Sequence, residues 1–97
     1  MTEPSEKAIT TAIIAYLRSL PRSWAHKIAP GPYGTAGEPD IDACINGRSV
    51  KLEVKRPSKR RNTTPAQERA LSRWEAAGAV AGVVCSVDDV RALLLEL

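Results

Sequence analysis

The sequence predicts an α/β fold in which one mixed four-stranded sheet lies between helices. Three observations predict it. An Asn46-Gly47 pair separates two alternating runs, a valine-rich stretch from Ala79 to Cys85 is short enough for an internal strand, and apolar residues recur at helical spacing near the amino end. With 97 residues there is room for one compact domain, expected to span residues 1–97, and the 43% apolar and 26% charged composition is ordinary for a folded chain.

From Ser5 to Leu20, the residues Ile9, Ala12, Ile13, Tyr16, Leu17 and Leu20 follow three- and four-residue steps, so an amphipathic helix is expected until Pro21 stops it. Glu6 lies three before Ile9 and is expected on the inward stripe of that helix, where it either serves a site or complements the helix dipole. Trp24 to Ile28 alternates and reads as a short strand, with His26 half-buried in it. Ala29 to Gly37 carries three glycines and two prolines and must be a loop.

The central hairpin has Asp40 to Ile45 as one arm and Arg48 to Lys55 as the other. An Asn-Gly turn needs positive φ at both central residues, which makes it the strongest short-range hairpin signal. A two-residue loop at Asn46-Gly47 pairs residues whose numbers sum to 93, so Asp42 meets Lys51 and Asp40 meets Glu53. Pro57 to Thr63 is a polar, basic loop. Thr64-Pro65-Ala66-Gln67 then supplies an N-cap, a proline at the first helical position and a glutamine at the third, opening a helix that runs to about Ala77 before Gly78. The Ala79–Cys85 strand follows, and Ser86 caps a last helix reaching the carboxyl terminus. The order is αβββαβα, and the crossover through the Pro65 helix should set its two flanking strands parallel.

Composition narrows the function classes. Cys44 and Cys85 lie in apolar stretches without the spacing of a structural zinc site, so both are expected as reduced core residues. No apolar run approaches the roughly 20 residues of a membrane span and no signal organisation opens the chain, so the expected location is the cytoplasm, with no membrane partner. The formal charge of +3 understates a local cluster: Lys55, Arg56, Lys59, Arg60 and Arg61 fall within seven positions. Such a run attracts a polyanion if it lies beside a site, and is otherwise a solvated loop.

The polar face of the hairpin carries the chemistry. Asp40, Asp42, Lys51, Glu53 and Lys55 all point the same way in the expected register. Facing residues have Cβ atoms about 4.5–5.5 Å apart, so the Asp40 and Glu53 carboxylates should repel by on the order of 3 kcal/mol. A hard divalent cation converts that repulsion into affinity, since Mg²⁺ is held by one or two protein carboxylates together with waters and substrate phosphate oxygens. The competing remedy is Lys55, in a purely structural cluster of acids and lysine. As part of a site, the Lys55 ammonium would stabilise the charge of a phosphodiester under in-line attack or orient the attacking water.

Gly37-Glu38-Pro39-Asp40, followed thirteen residues after that aspartate by Glu53-Val54-Lys55, resembles the PD-(D/E)xK nuclease superfamily, whose αβββαβ core matches the element order. With Gln67 opening the next helix, the pattern is similar, more narrowly, to the VRR-NUC family of virus-type replication-repair nucleases, over nearly the whole chain. The resemblance implies a restriction-endonuclease-like three-layer sandwich and a Mg²⁺- or Mn²⁺-dependent endonuclease. By the same comparison Asp40 and Glu53 ligate the metal, Glu6 and the Val54 carbonyl are further ligands, Lys55 is catalytic, and Gln67 supports the site unless it is only a helix cap. Arg56, Lys59, Arg60 and Arg61 would line the path of DNA, branched or flapped, cut by a homodimer of bacterial or phage origin in replication or repair. Ile41, Leu52 and Val54 should be core. The rival expectations are a non-catalytic nucleic-acid-binding module on the same fold, and a purely structural subunit.

Overall fold

A computed structural model describes residues 2–29 and 36–95. Residues 30–35 of the expected glycine- and proline-rich loop, and the last two residues of the expected final helix, lie outside the described residues. Helix α1 spans Glu6–Ser19, and Ser5 caps it by accepting from the Ala8 N–H at 3.1 Å. Strands β1 (Ser23–Lys27), β2 (Ile41–Ile45) and β3 (Arg48–Val54) follow, then a 3₁₀ turn at Pro57–Lys59, α2 (Pro65–Ala76), β4 (Val80–Val84) and α3 (Val87–Leu94). The expected αβββαβα order is the observed one.

The four strands form one sheet in the order β1-β2-β3-β4. The first three are antiparallel neighbours and β4 runs parallel to β3, as the crossover through α2 requires. The hairpin register is the expected one: Ile45 faces Arg48, Asp42 faces Lys51 and Ile41 faces Leu52. Asn46 and Gly47 carry φ of 52° and 84°, the two positive values that a type I′ turn demands. β1 starts one residue earlier than its alternation suggests, at Ser23, and the Ile28 N–H still reaches the Asp40 carbonyl at 2.8 Å.

Because side chains alternate across a strand, the sheet has two unlike faces. Ile41, Ala43 and Ile45 with Val50, Leu52 and Val54 face α1 and α3 and are buried with Ile13, Leu17 and Val90. Ile41, Leu52 and Val54 are thus core, as expected. The opposite face carries Trp24, His26, Asp42, Cys44, Lys51 and Glu53, and α2 packs on its β3 and β4 half only. With helices on both faces, the architecture is a three-layer α/β/α sandwich.

Two expectations fail for that reason. His26 and Cys44 are exposed, neither half-buried nor core, because α2 does not reach over β1 and β2; Cys85 is buried. Among the described residues no helix is long and apolar enough to cross a membrane.

Candidate active site

The hairpin brings its acids together where β2 begins and β3 ends. Asp40 immediately precedes β2, and its Oδ2 accepts the Val54 N–H at 2.8 Å, which pins its carboxylate to the end of β3. Its partner Glu53 is 3% exposed. Burial, and next the charge of Asp40, push the Glu53 carboxyl up from 4.5 to about 7. The expected adjacency of these two acids is therefore present.

Glu53 is held asymmetrically. Gln67 Nε2 donates to its Oε1 at 2.8 Å, and Lys55 Nζ lies 3.8 Å from the same oxygen. The other oxygen, Oε2, is buried without a hydrogen-bond partner among the described residues. A buried carboxylate oxygen left unpaired costs more than a paired one, so this atom is a candidate position for a ligand. Gln67 both caps the helix and contacts Glu53. Its side-chain oxygen accepts from the Thr64 N–H at 2.9 Å while its backbone N–H donates to Thr64 Oγ1 at 3.1 Å, completing the capping box, and its amide nitrogen is free to hold Glu53.

Helix α2 reaches this site because the loop before Asp40 packs against its first turn. Gly37 has φ of +82°, and a Cβ there would run into the backbone of Ala66 and Gln67. One step away from Glu53 on the same face, Lys51 is 6% exposed, paired with the Asp42 carboxylate and covered by the Trp74 ring at 4.0 Å. Trp74 also donates its indole N–H to Glu38 at 3.2 Å. Lys51, Asp42, Trp74 and Glu38 thus tie α2 to both arms that carry the acids. Trp74 is not among the residues expected at the site. A signal was present, since Trp74 lies seven residues after Gln67 and shares its helix face.

The remaining candidates are placed less simply. Glu6 is exposed, a correction to the inward position expected of it: it is the first residue of α1, and the core beneath that helix begins one turn later at Ile9. Its charge nevertheless adds to the elevation of Glu53, so it faces the site from the rim. Among the described residues, no group of three or more His, Cys, Asp or Glu side chains is gathered as for a metal ion, and Asp40 with Glu53 form a pair. In the basic loop, Arg56 is paired with Glu3 at 3.1 Å and Arg60 with Asp89 at 2.8 Å. Lys59 and Arg61 are exposed and have no ion pair among the described residues.

The donors present suit a hard divalent cation. Two carboxylates, one with an unpartnered buried oxygen, are the kind of oxygen ligand that Mg²⁺ or Mn²⁺ takes, and neither exposed nor buried thiol belongs to the group.

Comparison with solved structures finds the same fold. A VRR_NUC domain protein superposes with a TM-score of 0.76 at 18% identity, covering 98% of this chain and 88% of that one. A VRR_NUC domain superposes at 0.71 with 26% identity, covering 94% and 95% respectively. No family model and no curated protein matches the chain.

Proposed function

Taking as its premise that the chain is built on the VRR-NUC fold, we propose that it is a metal-dependent DNA endonuclease whose single domain hydrolyses phosphodiester bonds at the Asp40/Glu53/Lys55 site. The observation that carries this is the buried, partnerless Oε2 of Glu53 beside the Asp40 carboxylate, with Lys55 one strand step away. Asp40 and Glu53 would hold Mg²⁺ or Mn²⁺, with the Val54 carbonyl as a further oxygen ligand and Glu6 acting from the rim. When bound, the ion supplies neutralisation of phosphate charge and a lowered pKa for water.

The residues of the chain do the rest. Gln67 keeps Glu53 Oε1 occupied, which would leave Oε2 to hold the cation. The Val54 N–H fixes Asp40. Lys55, whose side chain is 14% exposed, presents its ammonium to the negative charge that builds on the phosphoryl oxygens as water adds to phosphorus and the opposite P–O bond breaks. Lys59 and Arg61 contact the strand backbone, with Arg56 and Arg60 joining once a phosphate displaces their acidic partners.

The substrate preference is for branched or flapped DNA in replication, repair or recombination, handled by a symmetric homodimer of a bacterial or phage-encoded cytoplasmic protein. A chain of 97 residues offers little surface for reading base sequence, which favours selection by shape. Incubation with branched, flapped and linear DNA in Mg²⁺, Mn²⁺ or EDTA tests the proposal. Cleavage should be lost in EDTA and in both Asp40→Ala and Lys55→Ala, while Lys55→Ala still binds DNA in Ca²⁺. Among the described residues the site gathers no third ligating acid, which favours as a second reading a non-catalytic binding module. That alternative requires unchanged DNA binding and no cleavage under any condition. Gel filtration giving a monomer with full cleavage would remove the dimer.

A further inference from the structure

Outside the acid cluster, the β1–β2 half of the same sheet face is bare among the described residues, since α2 packs only on β3 and β4. Trp24 stands there 61% exposed on the edge strand, although the chain has only two tryptophans. The ring is braced. The Arg18 guanidinium lies 4.2 Å from its centroid and is itself fixed by donating Nε–H to the Ala25 carbonyl at 2.8 Å. A cation thus backs one side of the indole and leaves the other side open.

The surroundings indicate what that open side fits. On this face the neighbours of Trp24 are His26, Cys44 and Ser49, so among the described residues no apolar patch of the kind a protein partner buries is present. Arg18 and Arg22 are exposed cations nearby, and the nearest carboxylate on this face, Asp42, is already occupied by Lys51. A lone aromatic among cations fits a flat π-system carried on an anionic backbone.

The register supplies the path. Trp24 pairs with Cys44 and His26 with Asp42, so His26 lies between the indole and Asp40 on one continuous strip. Cys44 is four residues from Asp40, about 13 Å along the strand, which is spanned by roughly four stacked nucleotides. We propose that Trp24 is a stacking platform for an unpaired nucleobase of a DNA strand whose backbone passes His26 on its way to the Asp40/Glu53 site. The inference rests on the nuclease assignment for its substrate class.

The test uses the full-length chain in EDTA, with an oligothymidylate and a blunt duplex as probes, reading tryptophan fluorescence and anisotropy of a labelled strand. The single strand should quench wild-type emission. In Trp24→Leu, with its fold checked by circular dichroism, quenching should vanish and single-strand affinity should fall about 5- to 150-fold, while duplex affinity changes by less than about twofold. Trp24→Phe should recover most of the affinity. Wild-type single-strand affinity in Trp24→Leu, or quenching that persists without Trp24, overturns the platform. So does sedimentation showing that the substitution splits a dimer, because a second copy then covers the ring. Full cleavage by Trp24→Leu with unchanged binding sinks the platform alone. Stacking that survives in a protein that cuts no DNA in Mg²⁺ or Mn²⁺ sinks the nuclease assignment alone.

Discussion

Glu53 concentrates the conflict between stability and chemistry in one side chain. Its carboxyl is raised from 4.5 to about 7 in the folded protein, chiefly by burial and then by Asp40. Below about pH 4.5 the group is protonated in both folded and unfolded chains and contributes no pH dependence. Between 4.5 and about 7 the unfolded chain releases the proton first, so stability falls as pH rises, and above 7 the loss is complete, on the order of 3 kcal/mol. Glu53→Gln keeps the shape and an acceptor for Gln67 without the charge. In EDTA at pH 8, urea denaturation should find the variant more stable than wild type by up to about 3 kcal/mol, with the difference shrinking towards pH 4.5. The same variant should not cleave DNA. A variant less stable than wild type at pH 8 would mean that Glu53 is not strained in the metal-free protein.

Among the elements, the hairpin and the start of α2 were the most legible. Asn46-Gly47 set the register through backbone φ alone, and Thr64-Pro65-Ala66-Gln67 marked a helix start through local hydrogen bonds, so neither needed distant information. What depends on distant packing was not legible. The exposure of His26 and Cys44 follows from how far α2 extends over the sheet, and the pairing of Arg56 with Glu3 and of Arg60 with Asp89 joins segments far apart in sequence. The seam between Gly37 and α2 is the tightest such contact. Gly37→Ala adds both a clash with the Ala66–Gln67 backbone and an unfavourable positive φ, and should cost at least about 2 kcal/mol by thermal or denaturant melting. The Lys51 network should break asymmetrically. Asp42→Ala strands a nearly buried ammonium and should cost about 3 kcal/mol, whereas Lys51→Met leaves a half-exposed acid and a thioether against Trp74 and should cost about 1 kcal/mol. Equal losses in a denaturation series would show that Lys51 is not desolvated.

At the scale of the molecule, charge is partitioned between cations held by internal acids and cations left to solvent. The loop from Arg56 to Arg61 looks uniformly basic in sequence, yet two of its four cations carry internal partners. DNA affinity measured against salt should therefore respond unevenly. Removing Lys59 and Arg61 together should lower the slope of log K against log salt by about 2, close to 0.9 per phosphate contact. Arg60→Ala should lower it by less and change stability little, because its pair with Asp89 is half-exposed. A slope insensitive to Lys59 and Arg61 would place the nucleic-acid path elsewhere on the surface.

The two cysteines, alike in sequence context, differ in the folded chain: Cys44 lies open on the bare half of the sheet, while Cys85 is buried and its thiol pKa is raised by burial. Maleimide reagents react through the thiolate, so they should modify the native protein at one position without any engineered substitution. A dye or nitroxide attached there would sit beside the indole, at the far end of the strip from the acids, giving a reporter of strand passage in the unaltered sequence.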